Sequence, residues 1–443
     1  MPNDNERLDN QKLPTDPPAV AACCCAEPVG PAIATAELAD ELPETRRYRR
    51  DFLLRSGALI GAGSLGVAFT GAQTAAALPA PPTQSRKAAI NEAKRRAPGA
   101  ISHYVSSDEP ELLRWGFLPN RDAKPVLTIR SGDIVTLETI SHEGILPDQG
   151  DPRQFFPANG IPVTKILEDQ LKVFLFYGLP QGPGPHVITG PVAVEGAEPG
   201  DILEVKTLFI EPRVDYGVNS ARHGKGSLPD TFPTGGQLYY GNVLRLDYDR
   251  GVAQFPAGHN IQVPLAPFMG IVGVAPDATG IINSVPPRRY GGNMDIKRLS
   301  RPGTTTFYPV QVPGALLYTG DAHAAQGNGE VSLTAIETSL TPTFQIILHK
   351  RASLPNEKVP LLKNPFGETP EAHIVTGLDK DLDSAMREAV RECVSFLQQT
   401  AGLSPDDAYS LASIGVDFEV SQVVDINKGV HAVIPKALFG GGV

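Results

Sequence analysis

The sequence predicts a mostly β protein: an antiparallel β-sandwich or distorted barrel over residues 78–350, then an α+β stretch, 351–443, that belongs to the same unit. Three observations lead there. Gly and Pro are abundant, 44 and 42 of 443 residues, and they punctuate the chain wherever apolar runs stop. Between those breaks apolar and polar residues alternate, the period of a strand with one buried face. Only near the C-terminus does the period lengthen to that of a helix.

Residues 1–77 stand apart. The first 45 are polar and Pro-rich, and "RRYRRDFLLRSG" follows. Arg49 and Arg50, one spacer and Phe-Leu fit the twin-arginine export pattern. The Gly/Ala-rich run from Gly57 to Ala77 ends in small residues suited to cleavage. The expectation is export, folded, to the periplasm or beyond, with the twin-arginine machinery as partner. Loss of 1–77 removes 7 basic and 10 acidic residues, so 32 face 39 and the charge of −10 becomes −7. That balance, with no basic stripe, excludes a nucleic-acid partner. Cys23, Cys24 and Cys25 leave with the signal, so Cys393 has no partner for an internal disulfide.

From Lys124 the strands follow in order. "SGDIVTLET" and "PGDILEVKTLFI" each open on a Gly-Asp turn. In the second, Leu203, Val205 and Thr207 face one way, Glu204 and Lys206 the other. "NVLRLDYDR", "HNIQVPLAPFMGIVGVAP" and "TTTFYPVQVPGALLYTG" continue the style, and "VSLTAIETSLTPTFQIILHK" predicts two strands around Thr341-Pro342. The tail brings a helix with Met386, Val390, Cys393 and Leu397 on one face. A second helix opens with Ser404 as N-cap, Pro405 in the first turn and Asp407 three residues after the cap.

No G-x-S-x-G elbow occurs, and Cys393 sits on an apolar helical face, which leaves acid- and imidazole-bearing stretches to carry any chemistry. The densest is "GDAHAAQGNGE", Gly320–Glu330, read as a ligand-bearing loop between two core strands. Asp321 and His323, two apart, project from one face of an extended backbone and can reach one ion. Asp295 ends "GGNMD", where glycines permit close backbone approach. Glu330 and Glu337 flank "VSLTAI"; seven apart, they fall on opposite faces of an unbulged strand, so one of them would be a support. His186 and Glu195 bracket a further apolar run.

Taken together, "HVITGPVAVEGAEPGD" (His186–Asp201), "YGGNMD" (Tyr290–Asp295), "PVQVPGALLYTGDAHAAQGNGE" (Pro309–Glu330), "AIE" (Ala335–Glu337) and "DAYSLASIGVDFEVSQVVD" resemble the acetamidase/formamidase family, in the right order from about Arg121 to the end. The resemblance implies metal-dependent hydrolysis of short linear amides to carboxylate and ammonia, on a β-rich fold that forms homo-oligomers. Tyr290 stands where members commonly carry His, and Asn328 where they commonly carry Asp. On this reading Asp295, His323 and either Asp321 or Glu337 hold a divalent ion, with zinc preferred. Glu195 is the general base, and Asn293 or Gln326 hydrogen-bonds the amide or its oxyanion. His186, Glu330, Tyr290 and Asn328 complete the surroundings. A non-catalytic exported binding homologue, or a hydrolase of a larger amide, carbamate or cyclic imide, are the alternatives.

Overall fold

Two large sheets face each other in the computed structural model, which describes residues 85–256, 260–357 and 359–440. The expected signal, with Arg49 and Arg50, lies outside the described residues. One sheet has nine strands in the order Ser102–Val105, Ile134–Leu137, Leu340–His349, Ile202–Pro212, Thr304–Pro309, Phe366–Glu368, Ala372–Asp379, Lys428–Pro435, Asp417–Gln422. The other has eleven; at its centre Leu317–His323 pairs with Phe268–Val274, Val187–Val194 and the short strand Glu337–Thr338. Pairing is antiparallel throughout, except where Ser102–Val105 lies beside Ile134–Leu137 and Leu127–Ile129 beside Val187–Val194. Among the described residues no helix is long and apolar enough to cross a membrane.

The core forms where the inner faces meet. Leu203, Val205, Phe344 and Ile346 of the first sheet share one apolar cluster with Ile188, Ile271, Val272 and Leu317 of the second, each at most 2% exposed. At about 25 cal/mol per Å² of apolar surface, this layer is the main force holding the sheets together. Leu203, Val205 and Thr207 are buried, as the alternation requires. Glu204, expected to point to solvent, is buried too, because His349 and Lys206 meet its carboxylate at 2.5 and 3.0 Å.

Two local expectations need correction. Thr341-Pro342 does not separate two strands: Leu340–His349 runs straight through, with Pro342 opposite Ile210, and only Glu337–Thr338 precedes it. The helix Leu382–Ala401 does not turn Met386 inward. It buries Ala385, Ala389, Glu392, Cys393, Phe396 and Leu397, while Met386 is 38% exposed. The reason is Gly377 on the neighbouring strand, where a Cβ would collide with the backbone of Ala385 and Ala389. Helix and sheet approach so closely that only small side chains fit between them. The following helix, Pro405–Gly415, starts as its sequence requires, with Ser404 Oγ accepting from the Asp407 N–H at 3.2 Å.

Candidate active site

The acid- and imidazole-bearing residues converge at one end of the eleven-stranded sheet. Asp321 and His323 come from its central strand, and the register sets Glu337 directly opposite His323. Asn293 ends the edge strand Gly291–Asn293, which pairs with Phe268–Val274, and Asp295 follows it. His186 immediately precedes Val187–Val194. Three more residues arrive from distant loops: His142 and Glu143 after Ile134–Leu137, and Asp425 between the last two strands. His142, His186, Asn293, Asp295, Asp321, His323 and Glu337 are all 5% exposed or less. All of them except His323, which lies behind Asp321 and Glu337, line a cleft of about 900 Å³.

A missing side chain makes room for this crowd. Gly270 lies opposite Asp321, between the registered pairs Met269–Ala322 and Ile271–Gly320. A Cβ there would stand 2.8 Å from both Asp321 Oδ2 and His323 Cε1, and closer still to Asp295 Oδ1. The backbone is also bent to the task. Asp295, Asp321 and Glu330 adopt φ of 50°, 51° and 46°, a left-handed conformation that costs a non-glycine residue on the order of 1 kcal/mol or more. Three buried carboxylates sharing this conformation at one site mark it as functional.

Three overlapping ligand sets emerge. In one, His142 Nδ1 and His186 Nε2 stand 3.5 and 3.6 Å from Asp321 Oδ1. These separations are too long for hydrogen bonds, but tetrahedral bonds of about 2.0–2.2 Å place neighbouring ligand atoms roughly that far apart. The other nitrogen of His186 meets Ser284 Oγ at 2.9 Å, which orients the ring. In the second set His323 Nε2 lies 3.1 Å from Asp321 Oδ2 and 3.2 Å from Glu337 Oε1. His323 Nδ1 reaches Gln326 Oε1 at 3.0 Å, so both ring nitrogens are engaged. Asp295, His323 and Glu330 form a third, related grouping.

The electrostatics divide along the same line. Burial alone would raise Asp321, but His186 and His323 outweigh it and hold the carboxyl far below its ordinary range. Burial would likewise lower His323, yet Glu337 and Asp321 drive it well above. The remaining acids go the other way. Burial raises Asp295 to about 6 and Glu337 to about 8, and it pushes Glu330 and Asp425 well up, their neighbouring carboxylates adding to the effect. Burial also depresses His142 and His186, keeping them neutral and able to ligate. So many acids around two neutral imidazoles fit a cation. The buried oxygens Asn293 Oδ1, Asp295 Oδ1 and Asp321 Oδ1, none with a hydrogen-bond partner, point to the same need.

Several sequence expectations shift here. Glu195 is not in the site: it is exposed on the turn at the opposite end of Val187–Val194 from His186. Eight strand residues put roughly 25 Å between those ends. Glu330 and Glu337 both enter the cluster, because 331–336 form a turn and not a strand, with Leu333 at φ 117°. Gln326 orders the site from behind, accepting from His323 and donating to the Asp295 carbonyl at 2.9 Å. Tyr290 is buried in the main core and Asn328 donates to Glu419 at 2.7 Å; neither lines the cleft. His142, Glu143 and Asp425 escaped sequence reasoning, although "SHEG" after a strand was a usable signal for the first two.

Comparison with known proteins points one way. A profile of the Acetamidase/Formamidase family matches residues 183–283 and 277–440. The acetamidase of Mycolicibacterium smegmatis is 30% identical over 200 residues, covering 33% of this chain and 49% of the relative, so the match spans about half that protein's length. The formamidase of Methylophilus methylotrophus is 26% identical over 320 residues, 57% of this chain and 77% of the relative. Among solved structures, an acetamidase from Yersinia enterocolitica superposes with a TM-score of 0.62 at 26% identity, covering 77% of this chain and 94% of its own. An acetamidase from Bacillus halodurans gives 0.60 at 27%, covering 77% and 100%.

Proposed function

Because the chain belongs to the acetamidase/formamidase family, we propose that it hydrolyses the C–N bond of a linear amide to carboxylate and ammonia, assisted by one divalent ion, zinc by preference. The observation that carries this reading is the set of three unpartnered buried oxygens, on Asn293, Asp295 and Asp321, gathered beside two neutral imidazoles at the floor of the cleft.

His142, His186 and Asp321 would hold the ion, two imidazoles and a carboxylate being a common set for a catalytic zinc that keeps a position open. Such an ion polarises a carbonyl and lowers the pKa of water towards neutrality. The chain's own groups do the rest. Asp295, with Oδ1 free and facing the cleft, accepts the proton of the attacking water and returns it to the departing nitrogen. Asn293 Oδ1 accepts an N–H of the substrate amide, which sets the scissile bond over Asp321. His323, held between Asp321 and Glu337, braces Asp321 and balances its charge. The unpartnered Asp321 Oδ1 beside His142 and His186 favours these two imidazoles over the sequence-based choice of His323, whose own ligand set is the alternative.

Tyr290 and Asn328, the two departures from the family pattern, do not line the cleft. Export through the twin-arginine pair and assembly into a homo-oligomer remain part of the proposal; Arg49-Arg50→Lys-Lys should hold the protein uncleaved in the cytoplasm. The enzyme reading is tested by ammonia release from a panel of amides, before and after removal of metal by a chelator, with elemental analysis of the parent. Turnover that a chelator abolishes and zinc restores supports it; a metal-free parent with full turnover sinks the metal, and no turnover of any amide sinks the function.

A further inference from the structure

A short amide such as acetamide, with four heavy atoms, would occupy a small fraction of a 900 Å³ cleft. Spaces of roughly 300–1,000 Å³ serve ligands many times that size. Above the catalytic floor the walls turn apolar. Leu146, Leu179, Val285, Leu333, Val424 and Ile426 line them, and Leu179 and Ile426 are 56% and 51% exposed. A chain drops such groups at a mouth when something apolar covers them.

The charge around this mouth is uneven. Arg222 is paired with Asp148 at 2.6 Å and with Glu143 at 3.0 Å. Lys428 donates to the Lys380 carbonyl at 2.6 Å. Lys225 lines the same cleft, close enough to bear electrostatically on His186, and among the described residues no carboxylate pairs with it. An unpaired cation beside an apolar wall fits a ligand that ends in an anion.

We infer that the substrate is an amide with an extended apolar body and a carboxylate at its far end, the amide on the floor, the body along the walls and the carboxylate against Lys225. This rests on the amidase reading above and names the substrate class for it. Apolar contact remote from the reacting bond raises kcat/KM, by about fourfold for each methylene fully withdrawn from water.

Ammonia release by the purified full chain from acetamide, hexanamide and adipamate (the six-carbon monoamide with a terminal carboxylate) tests it. Hexanamide should exceed acetamide at least tenfold in kcat/KM. Adipamate should exceed hexanamide by about two- to fivefold at low salt, the range of an exposed ion pair, and high salt or Lys225→Ala should erase that margin. Acetamide turned over as well as hexanamide overturns the inference and leaves the amidase standing. So does an adipamate margin that is missing, or one that survives in Lys225→Ala. No turnover of any of the three, or of formamide, overturns the amidase reading and this inference with it.

Discussion

Two polar clusters in this molecule, one partly buried around Arg213 and one buried in the cleft, look alike in composition and differ in how their hydrogen bonds close. Around Arg213, Nη2 donates to Asp169 at 2.7 Å while Nη1 donates to Ser107 Oγ and to the Thr139 carbonyl. Glu138 beside it accepts from the Tyr104 hydroxyl at 2.6 Å, Ser106 Oγ at 2.9 Å and the Ser107 N–H at 3.1 Å. No oxygen of that cluster is orphaned among the described residues. In the cleft, by contrast, four buried oxygens, on Asn293, Asp295, Asp321 and Asp425, have no partner and three carboxylates sit on left-handed backbone. A cluster that builds structure closes its hydrogen bonds within the chain. A cluster that does chemistry leaves them open for what arrives.

That contrast can be broken at the cleft first. His186→Ala removes one proposed ligand and should strip the metal, with activity falling beyond the ~10–100-fold typical of losing an outer partner. Elemental analysis beside a turnover assay reads both, and parent-like metal would reassign the site to the His323 set. Gly270→Ala should be nearly as severe, since its methyl would enter the space between Asp295, Asp321 and His323; a chemically sound, folded and inactive protein by circular dichroism is the expected result. Gln326→Ala leaves His323 Nδ1 unpartnered and loosens its brace on Asp321, so metal affinity should fall by less than the ~10–100-fold of losing a ligand's own partner, read by competition with a chromophoric chelator.

The structural cluster should respond in stability instead. Arg213→Met leaves Asp169 buried without its cation, a loss of about 3–5 kcal/mol by the usual cost of breaking such a pair, measured by denaturant titration. Metal content should stay at the parent level in the folded fraction. The smallest effect concerns acid. His431, whose Nε2 stands 3.4 Å away, and the bidentate Arg298 hold Glu419 well below its ordinary pKa. A depressed carboxyl contributes stability above its unfolded pKa of about 4.3, lost as pH falls through the folded value. Glu419→Gln should therefore flatten the decline in stability below pH ~4, and an unchanged slope would remove Glu419 from the account.

The sequence spoke clearly where one element decides. The cap at Ser404 and the meeting of Asp321 with His323 are local, and the structure keeps both; the alternation over Ile202–Ile210 holds for Leu203, Val205 and Thr207 but fails at Glu204. It misled where two elements decide. Glu195 follows a motif that begins with His186, yet strand geometry carries it to the far end of the sheet. Met386 satisfies the helical period, but Gly377 on another strand sets which face is close. His142 and Asp425 meet the site through loops whose course depends on the closed sandwich, so periodicity carries no trace of them.

The floor of the cleft joins His142 to Asp425, points that bracket most of the folded chain and both sheets. No fragment can hold it, because each fragment lacks a wall. Whatever binds there acts as a thermodynamic clasp on the whole fold: a ligand at a hundred times its dissociation constant adds about 2.7 kcal/mol to global stability. Global unfolding and emptying of the site are thereby one linked equilibrium.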